Sequence, residues 1–433
     1  MNLLYLHSHD TGRFIEPYGH PVPTPHLSRL ARQAVLFRHA FSAAPTCSPS
    51  RAALVTGTWA HSSGMIGLAH RGFRLSDPSR HLAAFLGRHG FEAVLCGVQH
   101  EALDPAILGY RRVLSAEQAR PDIANAEAVA SWLGERGSGR ARSPFFLSFG
   151  TFATHREFPD AGPGDEPGHL MPPAPLPDAA PVRADFARYR ASARLLDRCV
   201  GIVLDALESS RLAGETILLS TTDHGIAFPH MKCTLYDTGI GVSLMLRIPG
   251  QPPGVRDALV SQVDIFPTLC DLLGLDKPAW LHGVSLVPVL QDPGAEVREE
   301  LFAEVSYHAA YEPMRCIRTA RHKLIRFHDD HGRSVPANID DGLTKTYLME
   351  HGILTETRDR EMLFDLSLDP MERVNRAHDP RSGGVLGELS ARLEGWMAET
   401  GDPLRAGVRV PRPPGARVNR LSSLSPREEN WEE

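Results

Sequence analysis

Short apolar runs alternate with stretches of helical period along most of the chain. Leu3 to Leu6 is the first run, and a polar loop from His7 to Gly19 follows it. Thr24-Pro25 reads as a helix start, with Thr at the N-cap and Pro at the first helical position, and Leu27, Leu30, Ala31 and Ala34 then share one face. The same pattern predicts strands at 91–97, 145–151, 216–222 and 242–248, and helices at 50–57, 79–89, 123–135, 184–208, 264–273 and 386–398. Buried strands separated by amphipathic helices predict an α/β fold, a mostly parallel sheet flanked by helices on both faces. The Pro- and Gly-rich stretch 157–181 reads as a surface loop beside a cleft. After about residue 310 the runs shorten: 314–319 and 322–328 are close enough to pair as antiparallel strands, and a terminal helix follows. The expected organisation is a main α/β domain over 1–310, a smaller α+β subdomain over 311–400 and a Pro/Arg-rich tail over 401–433. The tail lacks apolar period and reads as extended or disordered.

Composition narrows the function classes. A chain of 433 residues can bury a large core, and a net charge of −6 argues against a nucleic-acid binder. No apolar run approaches the about 18 residues of a membrane span. The segment Met1 to His7 has neither a basic region nor a signal-length apolar stretch, so a cytoplasmic location is expected. The six cysteines are widely spread with no CxxC, which fits a reducing compartment and makes each, by default, a small buried hydrophobe. Two counts stand out. There are 21 histidines, and of the 46 basic residues only four are lysine: Lys232, Lys277, Lys323 and Lys345.

Polar clusters sit directly after predicted strands, where open α/β sheets place their sites. His7-Ser8-His9-Asp10 is one and Thr221-Thr222-Asp223-His224-Gly225 is another. Alone, an Asp after a strand is often a turn former; two loops that each offer a carboxylate and an imidazole make a reasonable shell for a divalent metal. A third cluster, Pro45-Thr46-Cys47-Ser48-Pro49-Ser50-Arg51, opens a helix. Cys47 at a helix start, with Arg51 one turn on, reads as a thiolate nucleophile, a neighbour of an anion site or an inert core residue.

Cys47-Ser48-Pro49-Ser50-Arg51, followed by an apolar stretch and Thr56-Gly57, resembles the sulfatase motif. Gly64-Met65, Gly67-Leu68, Phe145 to Leu147, Asp223-x-Gly225-Ile226-x-Phe228-Pro229, Leu235-Tyr236 and Pro313-Met314-Arg315 stand in the order of its heparan N-sulfatase (sulfamidase) branch, over roughly residues 2–400. The resemblance implies an alkaline-phosphatase-like fold and oxidation of Cys47 to formylglycine by a separate formylglycine-generating enzyme. Hydrated formylglycine is a geminal diol: one metal-held hydroxyl attacks sulfur in line, and the other later expels sulfate by collapse to the aldehyde. By the same resemblance Arg51 holds the diol and Lys232 neutralises sulfate oxygens. His100 and His155 match active-site histidines, one of which protonates the leaving atom, and His308 matches a position near the sugar of a small sulfated substrate.

Three positions depart from the family. Two consecutive aspartates are usual after the first strand, and this chain has His9-Asp10; Asp-Asn is usual after the late strand, and this chain has Asp223-His224. The expected metal set is therefore His9, Asp10, Asp223 and His224 with Cys47, and its nitrogen donors favour Mn, Zn or Fe over Ca. His9 could instead support Asp10 from behind. Val98 stands where a lysine is usual, which points to Arg13, Arg71 or Arg156 as a compensating cation or to a different substrate. The leading expectation is a sulfohydrolase acting on a sulfate ester or N-sulfate. The alternatives are a phosphonate monoester hydrolase or phosphodiesterase on the same scaffold, and a non-catalytic anion- or sugar-binding protein.

Overall fold

The computed structural model describes residues 1–114, 122–139 and 143–432. The strands in chain order are β1 (Asn2–Ser8), β2 (Val35–Phe37), β3 (Ala40–Phe41), β4 (Glu92–Gly97), β5 (Arg112–Val113), β6 (Phe145–Gly150), β7 (Thr216–Thr222), β8 (Leu244–Arg247), β9 (Gly254–Arg256), β10 (Val260–Ser261), β11 (Glu300–Tyr307), β12 (Tyr311–Thr319), β13 (His322–Phe327) and β14 (Glu361–Asp365). Eight of them form the main sheet in the order β5, β4, β6, β1, β7, β8, β2, β9. The five from β5 to β7 are parallel, whereas β8 runs antiparallel to both β7 and β2. This is the helix-flanked, mostly parallel sheet expected from the apolar alternation.

Side chains alternate between its two faces. Leu3, Tyr5, Ile217 and Leu219 pack with the buried helix Cys47–Thr56 and helix Ile265–Leu273. Leu4, Leu6, Leu218 and Phe145 pack with helices Asp122–Ser138 and Ala180–Ser209. Because β1, β6 and β7 are parallel and paired with His7 opposite Gly150 and Ser8 opposite Thr222, their carboxyl ends lie side by side. Position 150 must be glycine: a Cβ there would lie 2.4 Å from the His7 ring and 2.1 Å from the Val98 carbonyl oxygen.

Helix Pro25–Ala31 starts where Thr24-Pro25 predicts, but the Thr24 hydroxyl does not cap it. That hydroxyl donates to the Val22 carbonyl, and the Asp197 carboxylate accepts from the backbone N–H groups of His26 and Leu27 instead. A tertiary partner has taken over the local cap.

The second sheet is antiparallel, β11, β12, β13, β14, with helix Gly383–Glu399 against it. Its central hairpin is the one expected, but its first strand, β11, precedes residue 311. The tail has little regular structure, as its sequence suggests, yet it is packed rather than loose: Val410, Val418, Asn419 and Ser423 are buried. Asp402 anchors its start. The fully buried Arg315 donates from Nε to Asp402 Oδ2 at 2.5 Å and from Nη1 to the Val305 carbonyl at 2.8 Å, and its Nη2 lies 3.4 Å from Glu304 Oε2.

Burial alone would raise the Glu304 and Asp402 carboxyls, but His61 and Arg315 hold both below the usual carboxylate range. Groups depressed in the folded state stabilise it above about pH 4 and lose that contribution as pH falls through their folded values. Arg315→Met is expected to lower the urea unfolding free energy at pH 7 by about 3 kcal/mol or more, because it strands two buried carboxylates. The deficit should shrink near pH 3; a deficit independent of pH would contradict this assignment.

Candidate functional site

The carboxyl edge of the main sheet gathers the polar clusters. His9 and Asp10 follow β1, His100 follows β4, His155 follows β6, and Asp223 and His224 follow β7. Cys47 enters from the first turn of its helix. One ligand atom each from His9, Asp10, Cys47 and Asp223 lies within 4.8 Å of the others, and the same holds for His9, Cys47 and His155. Asp10 and His100 have φ of 51° and 65°, left-handed values that non-glycine residues adopt mainly where surrounding structure compels them.

The two aspartates are fully buried and densely supported. Asp223 Oδ1 accepts from the backbone N–H of Asp10 at 2.8 Å and of His224 at 2.9 Å, and Oδ2 accepts from Arg51 Nη2 at 3.0 Å. Asp10 Oδ2 accepts from Lys232 Nζ at 2.9 Å. Arg51 also donates to the Ser8 carbonyl at 2.9 Å and to His7 Nδ1 at 2.6 Å, so His7 carries its proton on Nε2 and donates it to Ser148 Oγ at 3.0 Å. Burial disfavours charge on both carboxylates, yet Lys232 and the neighbouring histidines for Asp10, and His224 and Arg51 for Asp223, hold them well below the usual range.

Two imidazoles face these carboxylates differently. His9 Nδ1 lies 2.9 Å from Asp10 Oδ1 and 3.1 Å from Asp223 Oδ2, and its Nε2 lies 2.9 Å from His100 Nδ1. Burial opposes a charge on His9, but Asp223 and Asp10 outweigh it and raise its pKa. His224 donates from Nδ1 to the Gly225 carbonyl at 3.0 Å, which leaves a lone pair on Nε2. That buried nitrogen has no hydrogen-bond partner and lies 3.3 Å from Asp10 Oδ1 and 3.7 Å from Asp223 Oδ2. Three electron-rich atoms thus converge beside His9 Nδ1, whose proton faces the two carboxylates, a donor set that fits a divalent cation taking that proton's place.

The remaining expected residues are also here. Burial, with some relief from Lys232, pushes the Cys47 thiol up, which favours the neutral thiol over a thiolate. Burial, with help from Lys232, pushes His155 down to about 4. Burial likewise lowers His100 and His308, and His308 is buried with no partner on Nδ1.

Each of the three candidate arginines has partners of its own. Arg13 donates to the Arg38 and Asp237 carbonyls, Arg156 forms a fork with Asp185, and Arg71 holds the tail through Asn419 and the Pro426 carbonyl. Two residues join the site without having been singled out. His7 orients Arg51; its place in the first cluster was visible but its partner was not. Asp340, whose Oδ2 lies 2.8 Å from Lys232 Nζ, sits in an irregular turn with no sequence signature.

The chain is similar to known proteins. A family model described as Sulfatase matches residues 2–275, and one described as N-sulphoglucosamine sulphohydrolase, C-terminal, matches 225–334. Human N-sulphoglucosamine sulphohydrolase is 29% identical over 461 residues, covering 93% of this chain and 91% of that protein. A protein solved in complex with its substrate D-glucosamine-2-N,6-O-disulfate superposes with a TM-score of 0.72 at 18% identity, over 93% of this chain and 98% of that one. The phosphonate monoester hydrolase of Agrobacterium radiobacter superposes with a TM-score of 0.71 at 20% identity, over 92% and 96%.

Adding Mn²⁺ to chelator-stripped protein is expected to raise the thermal midpoint, since an ion that binds only the folded state stabilises it by mass action. His224→Ala should remove most of that rise. An equal rise in both proteins would show that the ion binds elsewhere.

Proposed function

Because the chain belongs to the sulfatase family, we propose that it hydrolyses a sulfate ester or sulfamate on a sugar, at the cluster built around Cys47 and Asp223. The observation that carries this reading is the juxtaposition of Cys47 with His9, Asp10 and Asp223 at the sheet edge, with Arg51 one helical turn behind the cysteine. A neutral buried thiol is a poor nucleophile, so the position suits a residue meant for modification. Formylglycine made from Cys47 by a formylglycine-generating enzyme supplies, when hydrated, both an oxygen nucleophile and a route to release sulfate. His9, Asp10, Asp223 and His224 would hold one divalent ion, which supplies positive charge at the reacting oxygens. Two imidazoles in that set favour Mn, Zn or Fe over Ca.

The chain's own residues do the rest. Arg51, locked by His7, Ser8 and Asp223, fixes the orientation of residue 47 through one turn of helix. Lys232 brings its ammonium to the sulfuryl oxygens, and burial makes that charge stronger than it would be in water. His155 is neutral at pH 7 in the free protein; an anionic group arriving beside it raises its pKa and lets it deliver a proton to the departing atom. His100, braced against His9, is the second candidate for proton transfer, and His308 faces the sugar.

A second reading rests on two specific features. The Asp223-His224 pair and the absence of an ammonium at Val98 favour phosphonate monoester or phosphodiester hydrolysis on the same scaffold. Mass spectrometry across Cys47 after co-expression with a formylglycine-generating enzyme, followed by turnover of aryl sulfate, N-sulfoglucosamine and a phosphonate monoester, tests both. Conversion of Cys47 and faster turnover of a sulfur substrate are expected. An unmodified thiol overturns both hydrolase readings, and a kcat/KM for the phosphonate ester higher by orders of magnitude overturns the first.

A further inference from the structure

Lys232 lies between two carboxylates of different depth. Asp10, 2.9 Å away, is fully buried among the candidate metal ligands, whereas Asp340, 2.8 Å away on the other side, has 13% of its side chain exposed. The line from Asp10 through Lys232 to Asp340 therefore runs from the floor of the site outwards. Asp340 itself is paired with Lys232, and the turn that carries it is held by its neighbours. The neighbouring Asp341 accepts from Lys345 Nζ at 2.8 Å and from Ser425 Oγ of the tail at 2.5 Å, and Lys345 also donates to the Ile339 carbonyl at 2.7 Å. Both sides of the turn are pinned, one of them by the tail.

Displacement at sulfur is in line, so the attacking oxygen and the leaving atom lie on opposite sides of it. With residue 47 on the floor, the leaving atom points outwards, the side on which Asp340 stands and where the charges of Asp340 and Lys232 act on His155 and His308. A carboxylate at this place is unfavourable for an anionic substrate, because it repels the sulfuryl group and competes for Lys232. It becomes favourable only if the departing group brings N–H donors or positive charge.

The two bond types under the proposed function differ in that respect. An ester gives a neutral alcohol, R–O–SO₃⁻ + H₂O → R–OH + HSO₄⁻, whereas a sulfamate gives an ammonium, R–NH–SO₃⁻ + H₂O → R–NH₃⁺ + SO₄²⁻. In the second, the N–S bond breaks, its electron pair stays on nitrogen, and nitrogen ends with two added protons. Resting on the sulfatase reading, we propose that Asp340 is a specificity-determining residue that selects N-sulfated substrates by accepting from the departing nitrogen. When the sulfuryl oxygens engage Lys232, the Asp340 carboxylate is freed for that nitrogen.

Asp340→Asn keeps the shape and removes the charge. With thermal melting used to confirm folding, kcat/KM for N-sulfoglucosamine should fall at least about tenfold more than for glucosamine 6-O-sulfate, while Asp340→Glu recovers part of the preference. Equal loss on both substrates would mean that Asp340 only positions Lys232, and would overturn the proposal. Wild-type enzyme gives an independent readout: glucosamine should inhibit at least about tenfold better than glucose, and equal inhibition would also overturn it. No turnover of any sulfur substrate by wild-type enzyme would instead remove the sulfatase reading on which the proposal stands.

Discussion

Two carboxylates with no access to water, Asp10 and Asp223, set the terms for everything around them. Burying a charge is expensive unless it is paired and hydrogen-bonded, and these two lie close enough to share the His9 Nδ1 atom as a neighbour. The fold meets that cost with one cation on each: Arg51 on Asp223 and Lys232 on Asp10. Backbone N–H groups of Asp10 and His224 saturate one Asp223 oxygen, and the left-handed turn at Asp10 is what delivers the first of them. The oxygens that remain, Asp10 Oδ1 and Asp223 Oδ2, are turned towards the imidazoles. Charge balance around the two carboxylates is thus built into the scaffold by Arg51, Lys232 and His9.

The same constraint explains why distant parts of the chain are fixed so firmly. Arg51 can serve Asp223 only if its helix start is held, and that helix is buried along its whole length between the sheet and helix Ile265–Leu273. Lys232 can reach Asp10 only from the loop after β7, and Asp340 approaches it from the turn that Ser425 of the tail secures. The tail therefore helps to hold the turn that carries Asp340, although none of its described residues belongs to a strand of a sheet.

Much of this was legible from the residues because its signals are local. Apolar runs such as Leu3–Leu6 and 216–222 mark strands, polar residues directly after them mark a sheet edge, and Cys47 to Arg51 is a compact motif. What was not legible depends on partners far away in sequence. The capping of helix Pro25–Ala31 passes to Asp197, 170 or more residues on, so the Thr24-Pro25 signal gave the right boundary with the wrong donor-acceptor pair. The tail has no periodicity because it is held by individual contacts, such as Arg71 on Asn419 and Arg315 on Asp402, and not by an amphipathic face. Asp340 sits in a turn whose sequence resembles any polar loop. For Cys47 the helix start and Arg51 are visible in sequence, but the burial that favours a neutral thiol is not.

On the proposed function, His9 and His224 would bring two imidazoles to an ion held beside Asp10 and Asp223. Nitrogen donors in place of further carboxylate oxygens would carry less negative charge and favour borderline ions over hard calcium. Elemental analysis with metal-edge X-ray absorption on the purified protein tests this most directly. About one equivalent of Mn, Fe or Zn, bound by nitrogen as well as oxygen, is expected; calcium as the sole bound ion, surrounded by oxygen alone, would contradict the assignment of His9 and His224 as ligands.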